Sequence, residues 1–376
     1  MLAPTRVEIS RKAVSNNIKA FRSILSPNTR LAVAIKSNAY GHGIELMAKL
    51  AIENGVDVLA VNSLEEALLL KKFSPTPILL MGEVPNLEER LTDLNQSNFW
   101  IVASRLKEIL LLSKLSNEPK IHLKTDTGMA RLGQSGKELF KLLEELKAHK
   151  VNLSGLLMHF ASTEDFTEHS YSMLQLKTFQ ENIKFAEKQG FSNVIRHAAS
   201  SASTMLFKEA HFDMVRVGIS LYGLWPSLET RLSLSLMGKN TFDLMPVLSW
   251  KTTIVHTKKV PTGSSIGYGS TFKTNYPTTL AVIPVGYNEG FDRRLSNQGY
   301  VLVNGERAHI IGRVCMNMSM IDITHIRNVN VGTEVVLIGR SEKETISADT
   351  IAQLTGTINY DVVTRIHPEI PRVLVE

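Results

Sequence analysis

Up to about residue 225 the chain alternates short apolar runs with stretches whose apolar residues recur three or four apart. The runs are Leu31–Lys36, Asp57–Val61, Pro77–Met81, Phe99–Ala103, Ile121–Thr125, Gly155–His159, Val194–His197 and Met214–Ile219. Runs of this length read as strands buried on both faces, whereas a spacing of three or four reads as one face of a helix. Val14, Ile18, Phe21 and Leu25 carry the helical spacing, as do Leu139, Leu142 and Leu146. Eight strand–helix units in succession predict an α/β fold, an N-terminal (β/α)8 TIM-type barrel. The alternative is a doubly wound open sheet. That fold normally carries a glycine-rich phosphate fingerprint after its first strand, and none follows Leu31–Lys36.

Beyond Pro226 the texture changes. Val247–Val255, Thr279–Val285, Tyr300–Asn304, Ala308–Val314 and Val331–Ile338 are β-rich and separated by turn residues. Asn304-Gly305 between two such runs predicts a tight hairpin. We therefore expect a barrel domain over residues 1–230 and a mostly β domain over 231–376. Ser227 to Asp243, polar at both ends and without clear periodicity, reads as the linker.

Composition narrows the class. At 376 residues the chain exceeds one ordinary core, which agrees with two domains. A lone cysteine, Cys315, excludes an internal disulfide framework and suits a reducing compartment. The start, Met1 to Arg6, lacks a charged-then-apolar signal pattern, and no apolar run is long enough to span a bilayer. A cytoplasmic location without a membrane partner is the expectation. The net charge of +6 is spread over many segments with no nucleic-acid-binding signature beside it, so nucleic acid is not an expected partner.

Candidate chemistry gathers where the predicted strands end. Lys36 closes the first apolar run, and Tyr40 follows in a glycine-flanked turn where a hydroxyl can reach an anionic group. This arrangement suits a lysine that holds an aldehyde cofactor as a Schiff base, with the cofactor's phosphate nearby. A lysine there is also the ordinary solvated charge of a strand end. Lys124 and Arg131 flank the end of the fifth run, His159 ends the sixth, His197, Ser200 and Ser201 follow the seventh, and Arg216 lies within the eighth. Barrel closure would bring all of these to one rim. Arg216 discriminates best. It reads either as a partner of Asp213 or as a donor to the pyridine nitrogen of a cofactor. An arginine, always charged and donor-only, favours an unprotonated nitrogen and a weaker electron sink, which favours return of the proton to Cα over transamination.

The run Lys36-Ser37-Asn38-Ala39-Tyr40-Gly41-His42-Gly43 resembles the cofactor-lysine motif of the pyridoxal-phosphate-dependent alanine racemase family, and the resemblance extends over almost the whole chain. It implies pyridoxal 5'-phosphate as cofactor and L-alanine and D-alanine as substrates, with D-alanine destined for peptidoglycan. Lys36 would exchange the proton on the D face and Tyr268, in Gly267-Tyr268-Gly269, on the L face. The family's matching tyrosine enters from the partner subunit, so a homodimer with shared sites is implied, Met316 reaching across in the same way. Tyr40, Ser201 and the amides of Gly218 and Ile219 would bind the phosphate; His159 would stack on the ring, and His197 would back Arg216. Lys124-Thr125-Asp126-Thr127-Gly128-Met129-Ala130-Arg131 is similar to the family's Lys-x-Asp-Thr-Gly-Met-x-Arg segment. There Arg131 would meet the cofactor's phenolic oxygen and the substrate carboxylate, and the lysine matching Lys124 is carbamylated in some members. No metal is implied.

Several positions depart from the family. Met316-Asn317 stands where Met-Asp is usual, Ser200 replaces an asparagine, and Gly286-Tyr287-Asn288-Glu289-Gly290 alters the charge of the entrance motif. Pro368 occupies the place of an entrance tyrosine. Together these leave open a serine or broad small-amino-acid racemase, and a non-racemase cofactor-binding protein. A basic amino-acid decarboxylase would instead place an acid where Arg216 stands. An amide at 317 removes a charge and adds a donor beside the substrate side chain. Serine is therefore expected to be handled better than by a typical alanine racemase. In a chiral assay, Asn317→Asp should lower the serine-to-alanine turnover ratio; an unchanged ratio removes Asn317 from specificity.

Overall fold

The chain folds into an eight-stranded parallel barrel and a β-rich unit, in a computed structural model that describes residues 3–95, 99–163, 169–238 and 242–376. One unit comprises Ala13–Ser37 and Met47–Met245; the other comprises Met1–Lys12, Asn38–Leu46 and Pro246–Glu376. The first strand, β1 (Arg6–Ser10), thus clusters with the C-terminal unit.

The barrel strands are β2 (Arg30–Ala34), β3 (Val58–Val61), β4 (Ile78–Leu80), β5 (Trp100–Ala103), β6 (Lys120–Lys124), β7 (Gly155–Leu157), β8 (Ile195–His197) and β9 (Met214–Val217). Each is parallel to its neighbours and pairs with the next in chain order, while β9 returns to β2 with Ala32 opposite Arg216. The remaining seam is bridged by single bonds, Asp213 N to the Arg196 carbonyl at 3.0 Å and Arg216 N to the Ala199 carbonyl at 2.9 Å. The barrel expected from the alternation is present, and an open sheet is ruled out by this near-closure.

Side chains alternate across a strand with period two, so every second residue faces inward. On β2 to β5 the inward set is apolar, with Ala32, Val58, Ala60, Leu79, Trp100 and Val102 packing into one cluster. β6, β8 and β9 also bring buried polar side chains: His122 and Lys124, His197, and Arg216. Leu157 of β7 and Met214 of β9 join the apolar cluster, so apolar and polar side chains share these strands.

In the other unit β1 pairs antiparallel with β10 (Leu248–Thr253). Three further strands follow: β11 (His256–Val260), β12 (Ser265–Ile266) and β13 (Phe272–Lys273). Next come β14 (Thr278–Ile283), β15 (Tyr300–Val303), β16 (Glu306–His309), β17 (Ser319–Asp322), β18 (Glu334–Ser341), β19 (Glu344–Ile346) and β20 (Arg372–Val375). The largest sheet runs β16-β15-β18-β10-β1-β20, and β11, β14 and β17 form a second. Val7 and Ile9 of β1 are fully buried, and Arg6 bridges Glu8 and Glu334 at 2.7 Å each. The Asn304-Gly305 hairpin forms as expected, with Val303 opposite Glu306 and left-handed backbone at both turn residues.

The expected linker is different. Leu228–Leu236 is a helix whose Ser227 N-cap accepts a hydrogen bond from Thr230 N at 3.0 Å; residues 239–241 of that stretch lie outside the described residues. Leu228, Leu232 and Leu236 do recur every four residues, but all three are more than half exposed, so the stripe is not a core signal.

Lys36 also lies differently from the expectation. The strand stops at Ala34, and Lys36–Tyr40 is a single helical turn in which Ser37, Asn38, Ala39 and Tyr40 all have φ between 52° and 55°. Four consecutive left-handed residues, none of them glycine, store about 1–2 kcal/mol each. Local bonds hold the turn: Gly43 N reaches the Asn38 carbonyl at 2.9 Å, Ile44 N reaches Asn38 Oδ1 at 3.0 Å, and Arg372 donates to the Gly41 carbonyl at 2.8 and 3.0 Å.

Gly41 itself has φ +81°, and a β-carbon there would sit 2.0 Å from the Val363 carbonyl oxygen. Gly55, at φ +73°, would meet nothing within 4 Å. In urea titrations Gly41→Ala should lose about 3 kcal/mol or more and Gly55→Ala about 1 kcal/mol. Equal losses would mean that the close approach at Gly41 is dispensable.

Candidate active site

The C-terminal rim of the barrel brings together most of the residues singled out in its sequence. Lys124 ends β6, Lys36 and His159 each follow a strand by two residues, and Arg216 lies in β9. Their fields overlap. Lys36 is half-buried, and burial and the Arg131 charge lower its pKa against a smaller opposing pull from Glu66. Burial, then Arg216 and Arg131, push Lys124 down to about 7. His159 is held well below the usual histidine range by burial and by Arg216, Lys124, Arg131 and Lys36, in that order.

Arg216 is the centre of this cluster. Burial lowers its pKa to about 10, which leaves it charged at neutral pH. Its guanidinium donates to the carbonyls of Met158 at 2.7 Å and Ala198 at 3.0 Å, and to His197 Nδ1 at 2.9 Å, with His159 Nδ1 at 3.5 Å. Asp213 is not its partner: that carboxylate holds Arg196 through two bonds of 2.8 and 2.9 Å. His197 does back the arginine, and behind it stands His122, its Nδ1 2.9 Å from His197 Nε2. His122 escaped the sequence reading, although it sits two residues before Lys124 and so on the same inward face of β6.

Ser201 opens a short helix after β8, and Gly218 follows β9, so adjacency of the two strand ends brings them together. Gly218 N donates to Ser201 Oγ at 2.9 Å, and Ile219 begins the turn that follows. Ser200 caps that helix through Ser203 and so has a structural task of its own. Arg131 is exposed, on a loop wound around one carboxylate: Asp126 accepts the amides of Gly128, Met129 and Ala130 at 2.9 to 3.1 Å. Tyr171 Oη donates to the Gly128 carbonyl at 2.7 Å and pins the loop from outside.

The β-rich unit carries the remaining residues. Tyr40 lies beside Tyr360, ring centroids 6.2 Å apart, and burial pushes its phenol up to about 12, so it stays protonated and can donate. Tyr360, in the Asn359-Tyr360-Asp361 run, was not singled out from sequence. Tyr268 projects 72% exposed from a turn between two left-handed glycines, and a β-carbon on Gly269 would come within 3.2 Å of the Arg313 guanidinium. Met316 is 56% exposed; its carbonyl accepts from Asn288 N at 2.9 Å. Asn317 Nδ2 donates to Glu289 Oε1 at 2.8 Å, so the two departures from the family motif meet each other.

Lys36, Lys124 and Arg216 thus share one rim with no ion pair among the described residues, although burial of uncompensated cations is costly. A dianionic phosphate and an acidic phenol would compensate them, and a neutral histidine beside an arginine fits an unprotonated pyridine. The residues present fit pyridoxal phosphate. Fold and site together define a β/α-barrel enzyme of the pyridoxal-phosphate class.

Comparison with known proteins specifies the family. Residues 9–226 match the family model "Alanine racemase, N-terminal domain" and residues 247–374 match "Alanine racemase, C-terminal domain". A protein of Leptospira interrogans named alanine racemase is 55% identical over 98% of this chain and 95% of its own length. The crystal structure of alanine racemase from Bacillus anthracis with bound L-Ala-P superimposes with a TM-score of 0.91 at 35% identity, covering 100% of this chain and 96% of the other. That of the Bartonella henselae enzyme, with covalently bound pyridoxal phosphate, gives 0.86 at 27% identity, covering both chains fully. The chain belongs to the alanine racemase family, pyridoxal-phosphate-dependent isomerases that interconvert L- and D-alanine.

With a pKa of about 7, Lys124 is largely a free amine above neutrality, the form that adds carbon dioxide. In 13C-bicarbonate the protein should show a carbamate resonance that fades as pH falls through 7 and is absent from Lys124→Gln. A resonance that survives the substitution would assign it elsewhere.

Proposed function

We propose that the chain racemises alanine by two-base proton exchange at Cα, with Lys36 on the D face and Tyr268 of a second subunit on the L face. The observation that carries the reading is the guanidinium of Arg216, buried among carbonyls and neutral histidines and paired with no carboxylate among the described residues. When bound, pyridoxal phosphate supplies an electron-withdrawing ring that acidifies the Cα–H bond. Arg216, donor-only, would face the ring nitrogen without giving up a proton, which would favour return of the proton to Cα. Burial and the Arg131 charge lower the proton affinity of Lys36, which suits it to take or return a proton on its side. Tyr40, kept protonated, would be a donor to the phosphate, as would Ser201 and the amides of Gly218 and Ile219. His159 would stack on the ring, and Arg131 would bind the phenolic oxygen and the substrate carboxylate.

Tyr268 and Met316 belong to the β-rich unit and are well exposed, which supports their serving a partner subunit's site in a homodimer. Among the described residues no helix is long and apolar enough to cross a membrane. A cytoplasmic enzyme that supplies D-alanine for peptidoglycan fits these features. Asn317 remains the reason to assay serine beside alanine; its amide is engaged by Glu289, so its influence on the substrate runs through the placement of Met316.

Tyr268→Phe should lower racemisation at least about 100-fold while the cofactor's absorbance is retained. Mixing inactive Lys36→Ala and Tyr268→Phe subunits should restore about a quarter of native activity, because half of the dimers are hybrids with one intact site each. No recovery on mixing would place Tyr268 in its own subunit's site. Full activity in Tyr268→Phe would remove it as a base.

A further inference from the structure

Behind Arg216, two buried histidines form a line across the barrel wall. Arg216 Nη1 lies 2.9 Å from His197 Nδ1, and His197 Nε2 lies 2.9 Å from His122 Nδ1. The strands that carry the histidines, β6 and β8, are separated by β7, and the rings meet because the residue between them is Gly155. A β-carbon there would sit 2.0 Å from His122 Nδ1. Trp100 stacks on the far side of His122, ring centroids 5.2 Å apart and planes at 20°.

Donor and acceptor roles in this line follow from one end. A guanidinium only donates, so His197 Nδ1 must present its lone pair. The proton of neutral His197 is then on Nε2, which makes His122 Nδ1 an acceptor and puts the His122 proton on Nε2. That last N–H is buried with no partner among the described residues, so the relay ends on a donor left unsatisfied. Burial keeps both rings neutral, His122 at about 3 and His197 well below the ordinary range, so the line persists across working pH.

We propose that His122 is a positioning residue: by accepting from His197 it fixes the tautomer that holds Arg216 in place, and so sets the balance between racemisation and transamination. The proposal rests on the reading of Arg216 as donor to the pyridine nitrogen. Without an acceptor at 122, the His197 Nε2–H is buried and unpaired. Moving its proton to Nδ1 relieves that, but sets two donors face to face and turns the guanidinium away.

Three variants test it. His122→Phe keeps a ring beneath Trp100 but removes the acceptor; His122→Asn places Oδ1 where Nδ1 stood; Gly155→Ala pushes the histidines apart. In 15N-histidine spectra of the native holoenzyme, His197 should be neutral with its proton on Nε2. Pyruvate formed per racemisation turnover should rise about tenfold in His122→Phe and Gly155→Ala and return to within about twofold in His122→Asn. A native His197 protonated on Nδ1 would overturn the relay, whether or not the Phe variant folds. Equal changes in the Phe and Asn variants would overturn the acceptor role and leave only shape. If the native protein shows the expected tautomer but racemises neither alanine nor serine, the relay stands as a structural feature and the proposed function fails.

Discussion

Uncompensated positive charge at the barrel rim is the constraint on which the site depends. Lys36, Lys124 and Arg216 are held there without an ion pair among the described residues, and each depresses the proton affinity of a neighbour. Such a cluster opposes folding unless an anion joins it. Burial and this field together lower the proton affinity of Lys36 and hold His159 well below the usual histidine range. The apolar cluster of the interior, from Ala32 through Val102 to Leu157 and Met214, supplies the rigidity against which the polar side chains are set. Ligand binding and stability are therefore coupled in the barrel: whatever neutralises the rim also holds the fold.

Much of this was legible in sequence because a parallel barrel writes itself plainly. Strands buried on both faces are continuously apolar, and all eight are found within a few residues of where the runs place them. What was missed has physical reasons. β1 is a five-residue segment whose partners, β10 and β20, lie far along the chain, and no local pattern announces a long-range pairing. The helix Leu228–Leu236 turns Leu228, Leu232 and Leu236 outward while burying Leu234, so the usual link between periodicity and burial fails. Lys36 reads as a strand end because a left-handed turn of non-glycine residues has no compositional signature.

At the site the same division holds. Residues with unusual chemistry at strand ends, such as Lys36, His159 and Arg216, were visible. Those that act through another side chain were not: His122 is recognised only when period two is applied from Lys124, and Tyr360 only when its ring is seen beside Tyr40. Asn317 and Glu289 each look like an isolated departure in sequence; in space they form one hydrogen bond between two loops. A change at either position is thus read correctly only with the other.

The grip of Arg372 on the Gly41 carbonyl has a consequence in time. The two residues are 331 positions apart, and the same guanidinium gathers the carbonyls of Ile366, His367 and Ile370. During synthesis the segment after Lys36 emerges early, yet the clamp on its left-handed turn cannot close until nearly all of this sequence has left the ribosome. A growing chain can assemble barrel strands in order while the turn bearing Tyr40 stays loose. The ordered form of this turn would then arrive late, once Arg372 has been made, rather than with the segment that carries it.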